Sequence, residues 1–273
     1  MSQIEPYASP HRGHPSGRKV AARPCHRPTV RHMRRRAARM MIVSLALSVT
    51  TVLPATADAA TTVGPGTRLT VRLDASSSAL CTAGFAFRDA AGATYLSMAA
   101  SSVRIGDGAR GRLAYSSWIA MRRSGETDQE RCRANDVALV AVDPADAGRV
   151  DPTVPQIGGP TGLDTDGVPR GETVVSYQPG DGARAVKTGT SLGDTPYGHT
   201  VLTRPPGIPG DSGAGILDGD GRAFGVLTTE FDGNPHANGV ADLADALAYA
   251  RTHGGPDVTL LTGTVGSWHM LKP

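Results

Sequence analysis

Short runs in which apolar and polar residues alternate recur along most of the chain, separated by segments rich in glycine, proline and aspartate. One run covers 81–87, turns at 88–92 and returns over 94–100. A period of two residues with turn residues between the runs is typical of antiparallel strands. Further predicted strands cover 112–118, 135–142, 171–178, 184–190, 199–203, 214–217, 223–228 and 258–261. The pattern therefore predicts an all-β fold.

One segment near the C-terminus departs from this pattern. Residues 239–251 place Val240, Leu243, Leu247 and Ala250 three or four residues apart. This spacing brings the four side chains to one face of a helix. The segment therefore predicts a helix that packs on the strands before it.

Two predicted strand regions flank the segment Pro209–Gly215, which reads Pro-Gly-Asp-Ser-Gly-Ala-Gly. A serine that attacks a carbonyl stands on a sharp turn, and backbone N–H groups face the oxyanion that forms. Gly210 and Ser212 can supply these N–H groups, and Gly213 leaves room for the turn to close. The segment predicts a nucleophile turn centred on Ser212 rather than an ordinary surface turn.

The longer segment 206–213, with the hairpin Leu-Asp-x-x-Gly-Arg-Ala at 217–223, resembles the nucleophile loop of chymotrypsin/trypsin-like serine endopeptidases, especially secreted bacterial members. The likeness covers about residues 80–252. It implies two six-stranded antiparallel β-barrels of the chymotrypsin fold with a C-terminal helix. It also implies Ser212 as nucleophile, the N–H groups of Gly210 and Ser212 as oxyanion hole, and Thr228 as a substrate-binding residue.

The general base that the resemblance requires is missing. In the family the opening hairpin ends in Ala-Ala-His-Cys, whereas this chain reads Met98-Ala-Ala-Ser-Ser-Val103. The best register places Ser101 at the histidine position, and a shift by one residue places Ala100 there. No histidine occurs between His32 and His199, so the base is absent in either register.

Asp136 opens the apolar run over 135–142 and matches the family's Asp-Ile-Ala-Leu pattern. The resemblance implies that this aspartate is the one that orients the histidine. Without an imidazole, Asp136 becomes a buried carboxylate that lacks its usual partner, which is unfavourable. Ser101 can at best donate a hydrogen bond to it.

The later histidines do not replace the missing base. His199 is expected in the wall or on the surface of the second barrel, and His236 lies in a loop that could in principle approach the cleft. The remaining two are His253 and His269. The hairpin aspartates Asp218 and Asp220 supply too few ligands for calcium, so we expect no metal and no cofactor.

Two cysteines, Cys81 and Cys132, remain after the leader that contains Cys25. In the family, the cysteine that follows the histidine bridges to the one at the Cys81 position, and Ser102 removes that partner. Either Cys81 and Cys132 pair with each other in an oxidising compartment, or both are left over.

Charge divides the chain into a basic leader and an acidic remainder. Residues 1–59 carry ten Lys and Arg against two acidic residues, so the rest carries 18 basic and 23 acidic residues. The acidic remainder removes the support for a nucleic-acid partner. The leader is expected to contain a secretory signal that starts at Met33. Its parts are a basic segment at 34–39, an apolar run at 40–49 and a cleavage site at Ala57-Asp-Ala59. The apolar run is too short for a comfortable membrane span.

These observations predict a secreted monomer. Its expected parts are an extension and signal at 1–59, a lead-in at 60–80, a protease-like domain at 81–264 with its connector at 143–170, and a tail at 265–273. The first hypothesis is a homologue without useful protease activity that binds a peptide or protein. The second is an active endopeptidase that uses Ser212 with a non-standard base. The third is a decaying duplicate with no selected role.

Overall fold

The computed structural model describes residues 61–72, 78–99, 103–105, 110–128, 131, 135–195, 198–230 and 237–264. The first strands along the chain are β1 Arg68–Arg72, β2 Ser78–Thr82, β3 Ala86–Asp89, β4 Thr94–Met98, β5 Val103–Ile105, β6 Gly111–Ser116 and β7 Ala138–Val142. The later strands are β8 Thr173–Tyr177, β9 Val186–Thr195, β10 Gly198–Arg204, β11 Gly215–Leu217, β12 Ala223–Glu230, β13 Ala237–Asp242 and β14 Val258–Leu260. Two α-helices are described, α1 Ser117–Arg123 and α2 Leu243–Thr252.

The second half of the chain closes into a barrel of six antiparallel strands in the order β10-β13-β12-β11-β8-β9. Alternate residues of these strands point inward and form one core. This core contains Val174, Val201, Ile216, Phe224 and Val240. The predicted all-β fold, with a six-stranded barrel and a C-terminal helix, is confirmed.

The first half of the chain is also built of strands. Its described strands form a three-stranded sheet, β2-β1-β5, and a five-stranded sheet, β14-β3-β4-β7-β6. Leu69 and Cys81 from the first sheet and Leu96, Met98 and Val140 from the second share one core. The two sheets therefore pack face to face across that core.

The C-terminal helix begins later than the apolar spacing predicted. Val240 lies in β13, and α2 begins at Leu243, capped by the Asp242 carboxylate, which accepts the N–H of Asp245 at 3.0 Å. β13 continues to Asp242 because it pairs with both β10 and β12, and these pairings override the local helical spacing. After α2 the chain returns to the first half, where β14 pairs with β3.

The predicted strand over 112–118 also ends early. β6 ends at Ser116, whose hydroxyl accepts the Ile119 N–H at 3.4 Å and caps the short helix α1. A serine at this position satisfies one of the free N–H groups of the first helical turn. Among the helices that the structure describes, none has the length and apolar character to cross a membrane.

The two halves approach each other closely beside the segment that carries Ser212. A Cβ atom added at Gly84 would lie 2.6 Å from the Gly213 carbonyl oxygen, and one added at Gly215 would lie 2.6 Å from the Phe85 ring. Only glycine allows backbones to approach this closely. A shared apolar cluster, which includes Phe85, Leu139, Leu217, Val226 and Leu247, continues this contact toward α2.

Candidate active site

The nucleophile turn connects β10 to β11 and is built from two successive tight turns. The Asp211 N–H donates to the Ile208 carbonyl, and the Ala214 N–H donates to the Asp211 carbonyl, both at 2.9 Å. Gly210 and Gly213 have φ values of 104° and 94°, which other residues rarely adopt. The backbone conformation therefore favours glycine at both positions.

Three hydrogen bonds fix this turn to the first half of the molecule. The Thr82 N–H donates to the Ser212 carbonyl at 2.8 Å, and the Thr82 hydroxyl donates to the Gly210 carbonyl at 2.8 Å. The Arg68 guanidinium donates to the same Gly210 oxygen at 3.0 Å.

Within the described part of the chain, the N–H groups of Gly210 and Ser212 have no acceptor. Two free donors beside a partly exposed serine are what an oxyanion hole requires.

A buried lysine fixes the same turn to the second barrel. Asp211 and Lys187 are both fully buried, and Lys187 Nζ lies 3.4 Å from Asp211 Oδ2 and 2.7 Å from the Pro206 carbonyl oxygen. The Asp211 carboxylate also accepts the N–H groups of Gly180 and Ile208, at 2.8 and 3.1 Å. These donors satisfy the buried charge of Asp211.

No pattern in the sequence predicted this ion pair. The chain holds three lysines, and Lys187 is the one that lies within a predicted strand. A lysine in a strand of the predicted barrel is the sequence feature that could have indicated a buried ion pair. Because 24 residues separate Lys187 from Asp211, no local pattern joins them.

Asp136 lies near the end of β4 that faces the nucleophile turn. Met98 pairs with Ala138, so Asp136, two residues before Ala138, lies at the same end of the sheet as Met98. A Cβ atom on Gly213 would lie 3.1 Å from Met98 Cα and 3.0 Å from the Ala99 nitrogen. The segments that carry Ser212 and Asp136 therefore both adjoin the end of β4.

The carboxyl group of Asp136 is in an unfavourable setting. Burial raises its pKa to about 6, from an ordinary value of 3.8. No described charge or hydrogen-bond donor lowers this pKa again. Such a shift is typical of a buried carboxylate that has no compensating partner.

Asp136→Asn is therefore expected to stabilise the protein at neutral pH and not in acid. The folded protein holds the Asp136 proton more tightly than the unfolded chain, so stability decreases as the pH rises from about 4 to about 6. Two pKa units correspond to up to about 3 kcal/mol of unfolding free energy above pH 7. Urea unfolding at pH 4.5 and 7.5 measures this difference.

An exposed aspartate provides the matched control for that measurement. Asp151→Asn should change the unfolding free energy by less than about 0.5 kcal/mol at either pH. If the variant and wild type differ in unfolding free energy by the same amount at pH 7.5 and at pH 4.5, Asp136 has a partner that compensates its charge.

Several predicted positions lie outside the described residues. These are Ala100, Ser101, Ser102, Cys132, His236 and His269. The assignment of Ser101 to the histidine position therefore remains a prediction, and the alternatives for Cys81 and Cys132 remain open. Cys81 itself is buried, with its thiol donating to the Ala99 carbonyl oxygen at 3.5 Å.

Thr228, the predicted substrate-binding residue, is buried in β12. Its hydroxyl donates to the Gly239 carbonyl at 3.2 Å and joins β12 to β13. The strand that carries it contacts the nucleophile turn, because the Gly213 N–H donates to the Leu227 carbonyl at 2.6 Å. Thr228 therefore lies close to the turn, with its hydroxyl bonded to the neighbouring strand.

His199 lies in the barrel wall, at the end of β10 away from the nucleophile turn. Its Nε2 lies 2.8 Å from Asp194 Oδ1, and its ring meets Phe224 edge-on with the centroids 5.3 Å apart. The imidazole is almost fully buried. His253 is exposed at the end of α2 and stacks on Tyr249. In the described chain, neither histidine adjoins Ser212.

In the acidic hairpin between β11 and β12, the Asp218 carboxylate is hydrogen-bonded by residues of the hairpin itself. The Asp218 carboxylate accepts the N–H groups of Asp220 and Arg222 and the Arg222 guanidinium, at 2.7 to 2.8 Å. Burial of Asp218, aided by a hydrogen bond to Asp164, raises its pKa. Over the described ranges, no group of three or more His, Cys, Asp or Glu is arranged to hold a metal.

Comparison with solved structures finds similar chains. A Nocardiopsis protease matches 72% of this chain and 97% of its own, with 19% identity and a TM-score of 0.48. A glutamic acid specific serine protease that uses a histidine triad in substrate binding matches 72% and 99%, with 17% identity and a TM-score of 0.47. A chymotrypsin of Cellulomonas bogoriensis matches 72% and 97%, with 16% identity and a TM-score of 0.46. No protein-family model and no curated protein matches the chain.

Proposed function

We propose that this protein is a secreted trypsin-like serine protease homologue that binds a peptide or protein at the nucleophile turn and has little or no protease activity. One observation carries the proposal. The turn at Ser212 keeps two free N–H donors at the junction of the two halves, while no histidine occurs between His32 and His199. The turn fits a peptide carbonyl, and the group that would activate the serine is absent.

The loss of the base determines how much activity is left. A serine hydroxyl is a poor nucleophile near neutral pH unless a base accepts its proton. Loss of the triad histidine costs a serine protease about 10⁶ in kcat. The oxyanion hole and substrate binding alone retain roughly 10³ to 10⁴ over the reaction in water. This is too little for useful protein turnover.

An active endopeptidase with a non-standard base is the second candidate. The observation that favours it is the pKa of Asp136, which burial raises to about 6. A carboxylate with this pKa is a stronger base than an ordinary aspartate and is still ionised at pH 7. In this alternative, Asp136 accepts the Ser212 proton, either directly or through a bound water.

Covalent labelling and peptide binding separate the two candidates. A fluorophosphonate probe reacts with an activated serine, so we expect wild type to be labelled no faster than Ser212→Ala. Polarisation assays with capped fluorescent hexapeptides should show saturable binding, and mass spectrometry should find the peptides intact. Rapid labelling that depends on both Ser212 and Asp136 would instead establish the active enzyme. Absence of both labelling and binding would favour the decaying duplicate.

Secretion is part of the proposal and rests on the leader. A basic segment, an apolar run and the Ala57-Asp-Ala59 site follow one another over 34–59. We expect a mature, monomeric protein that begins near Ala60, without a nucleic-acid or membrane partner. Expression from Met33 in a secreting bacterial host, followed by mass spectrometry of the protein in the medium, tests the cleavage site.

A further inference from the structure

A cavity of about 540 Å³ lies where the lead-in passes the connector between the two halves. Its walls are formed by segments of 62–67 and 151–158, together with Tyr177 and Thr264. A volume in this range accommodates a medium-sized ligand or a few side chains. Ser212 does not line this cavity, so the cavity is separate from the nucleophile turn.

One wall of the cavity is aromatic. A Cβ atom added at Gly66 would lie 2.6 Å from Tyr177 Cδ1 and 3.7 Å from Pro155 Cγ. The Tyr177 ring therefore lies against the Gly66 backbone, with the Pro155 ring beside it. Tyr177 and Pro155 are both only partly buried, and both line the cavity. Their remaining apolar surface fits an aromatic or aliphatic side chain.

The chain leaves the described structure at the wall of this cavity. The Thr264 carbonyl accepts the Gly159 N–H at 2.7 Å, and the Thr264 N–H donates to the Thr153 hydroxyl at 3.1 Å. Thr264 itself lines the cavity. The point from which the tail, residues 265–273, continues is therefore fixed beside the cavity.

The tail has a composition that suits this cavity. It reads Val-Gly-Ser-Trp-His-Met-Leu-Lys-Pro, so its large apolar side chains are Trp268, Met270 and Leu271. Trp268 is four residues after Thr264. Four extended residues span up to about 14 Å, more than the width of roughly 10 Å of a cavity of this volume. The Trp268 indole can therefore reach the Tyr177 wall.

Charge favours the same occupant, although weakly. The tail carries Lys272 and no acidic residue, and Asp151 is the one charged residue among the described residues that line the cavity. Asp151 is exposed, so its attraction for a basic segment is small. The apolar contact therefore supplies most of the affinity, and the charge agrees with it.

We propose that the tail folds back onto this cavity and places the Trp268 indole against Tyr177 and Pro155. Threonine hydroxyls that line the cavity can accept the indole N–H, which needs a partner once it is buried. In this position the tail ties the C-terminal segment to the lead-in and the connector, and it closes the cavity to other ligands. The inference does not rest on peptide binding at Ser212.

Tryptophan fluorescence tests the position of Trp268, because the chain holds one other tryptophan, Trp118. In a Trp118→Phe variant of the full chain, Trp268 is the only tryptophan that emits. Acrylamide should quench this emission at least about threefold less than that of the free peptide 265–273, since a docked indole is shielded from solvent. Tyr177→Ala in the same background should raise the quenching at least about twofold.

A second tyrosine provides the matched control for Tyr177. Tyr249 is also partly buried, but it lies on α2 and does not line the cavity, so Tyr249→Ala should leave the quenching unchanged. The reverse single-tryptophan variant, Trp268→Phe, retains Trp118 in α1 as a probe of folding. Its emission maximum should be the same with and without Tyr177→Ala.

Photo-crosslinking locates the contact without altering the Tyr177 wall. p-Benzoylphenylalanine at Gln156, an exposed residue that lines the cavity, should cross-link to the tail, and mass spectrometry should find the attachment within 265–273. Arg170 is the control position. It is exposed and precedes β8, whereas Tyr177 ends that strand, so the same group at Arg170 should give no such product.

Three other outcomes would overturn the proposal. If acrylamide quenches Trp268 as readily in the folded chain as in the free peptide, the tail does not dock. If Trp268 is protected but neither Tyr177→Ala nor the Gln156 probe detects the tail, the assignment to this cavity is wrong. If the protection decreases on dilution and sedimentation shows a dimer, the tail docks on a second copy and does not fold back within one chain.

Discussion

Ser101→His is expected to produce peptide hydrolysis at least about 100-fold above that of the wild-type protein. General-base catalysis by a positioned histidine contributes about 10² to 10⁴ in rate. The segment with Ser212 and the segment with Asp136 already meet at the end of β4, beside Met98 and Ala99. The resemblance assigns the family histidine to this position, two residues after Ala99 in the sequence. Initial rates on fluorogenic peptides and casein, with and without Ser102→Cys, measure the gain.

Three further variants establish the source of this activity. Ser212→Ala in the Ser101→His background should return hydrolysis to the wild-type level. Asp136→Asn in that background should remove most of the gain, since Asp136 would no longer hold the imidazole in the correct tautomer. Ser101→Gln, similar in size but not basic, should remain inactive. Hydrolysis by the unmodified protein that requires Ser212 would contradict the proposed loss of function.

Lys187→Met is expected to lower the free energy of unfolding by about 3–5 kcal/mol. Removing one partner of a buried ion pair leaves the other charge uncompensated, and a loss of this size is typical. Lys187 and Asp211 are both fully buried, with Nζ and Oδ2 3.4 Å apart. Urea unfolding of the single variants Lys187→Met and Asp211→Asn, and of the double variant, measures the coupling between the two residues.

The double variant should be more stable than the sum of the two single losses predicts, because it leaves no isolated buried charge. Arg184→Met is the matched control. Its side chain is 73% exposed and lies 4.0 Å from Asp181, so we expect a loss below about 1 kcal/mol. A Lys187→Met loss as small as that of Arg184→Met would show that the pair does not support the nucleophile turn.

The position of the Lys187–Asp211 pair connects stability to function. Asp211 directly precedes Ser212, and its carboxylate accepts the N–H groups of Gly180 and Ile208. The pair therefore fixes the turn to the barrel from within the folded chain. In this arrangement, residues of the folded chain itself hold the free N–H groups of Gly210 and Ser212 in position.

Features that depend on short segments were predictable from the sequence. The Gly-Asp-Ser-Gly turn was predictable because Gly210 and Gly213 adopt positive φ values that the turn requires. The β11–β12 hairpin was predictable from Asp218 to Arg222, whose own side chains close the turn. The absence of a histidine between His32 and His199 is a property of composition and needs no structure.

Features that join residues distant in the sequence were not predictable in this way, because they depend on tertiary packing. The buried partner of Asp211 and the hydrogen bond from the Thr82 hydroxyl to the Gly210 carbonyl depend on how separate strands pack, and no local pattern encodes that packing. The start of α2 was misplaced for the same reason: Val240 has helical spacing, but pairing of β13 with β10 and β12 holds it in a strand. Local propensities are weak compared with the free energy of closing a six-stranded barrel, so the barrel sets these boundaries.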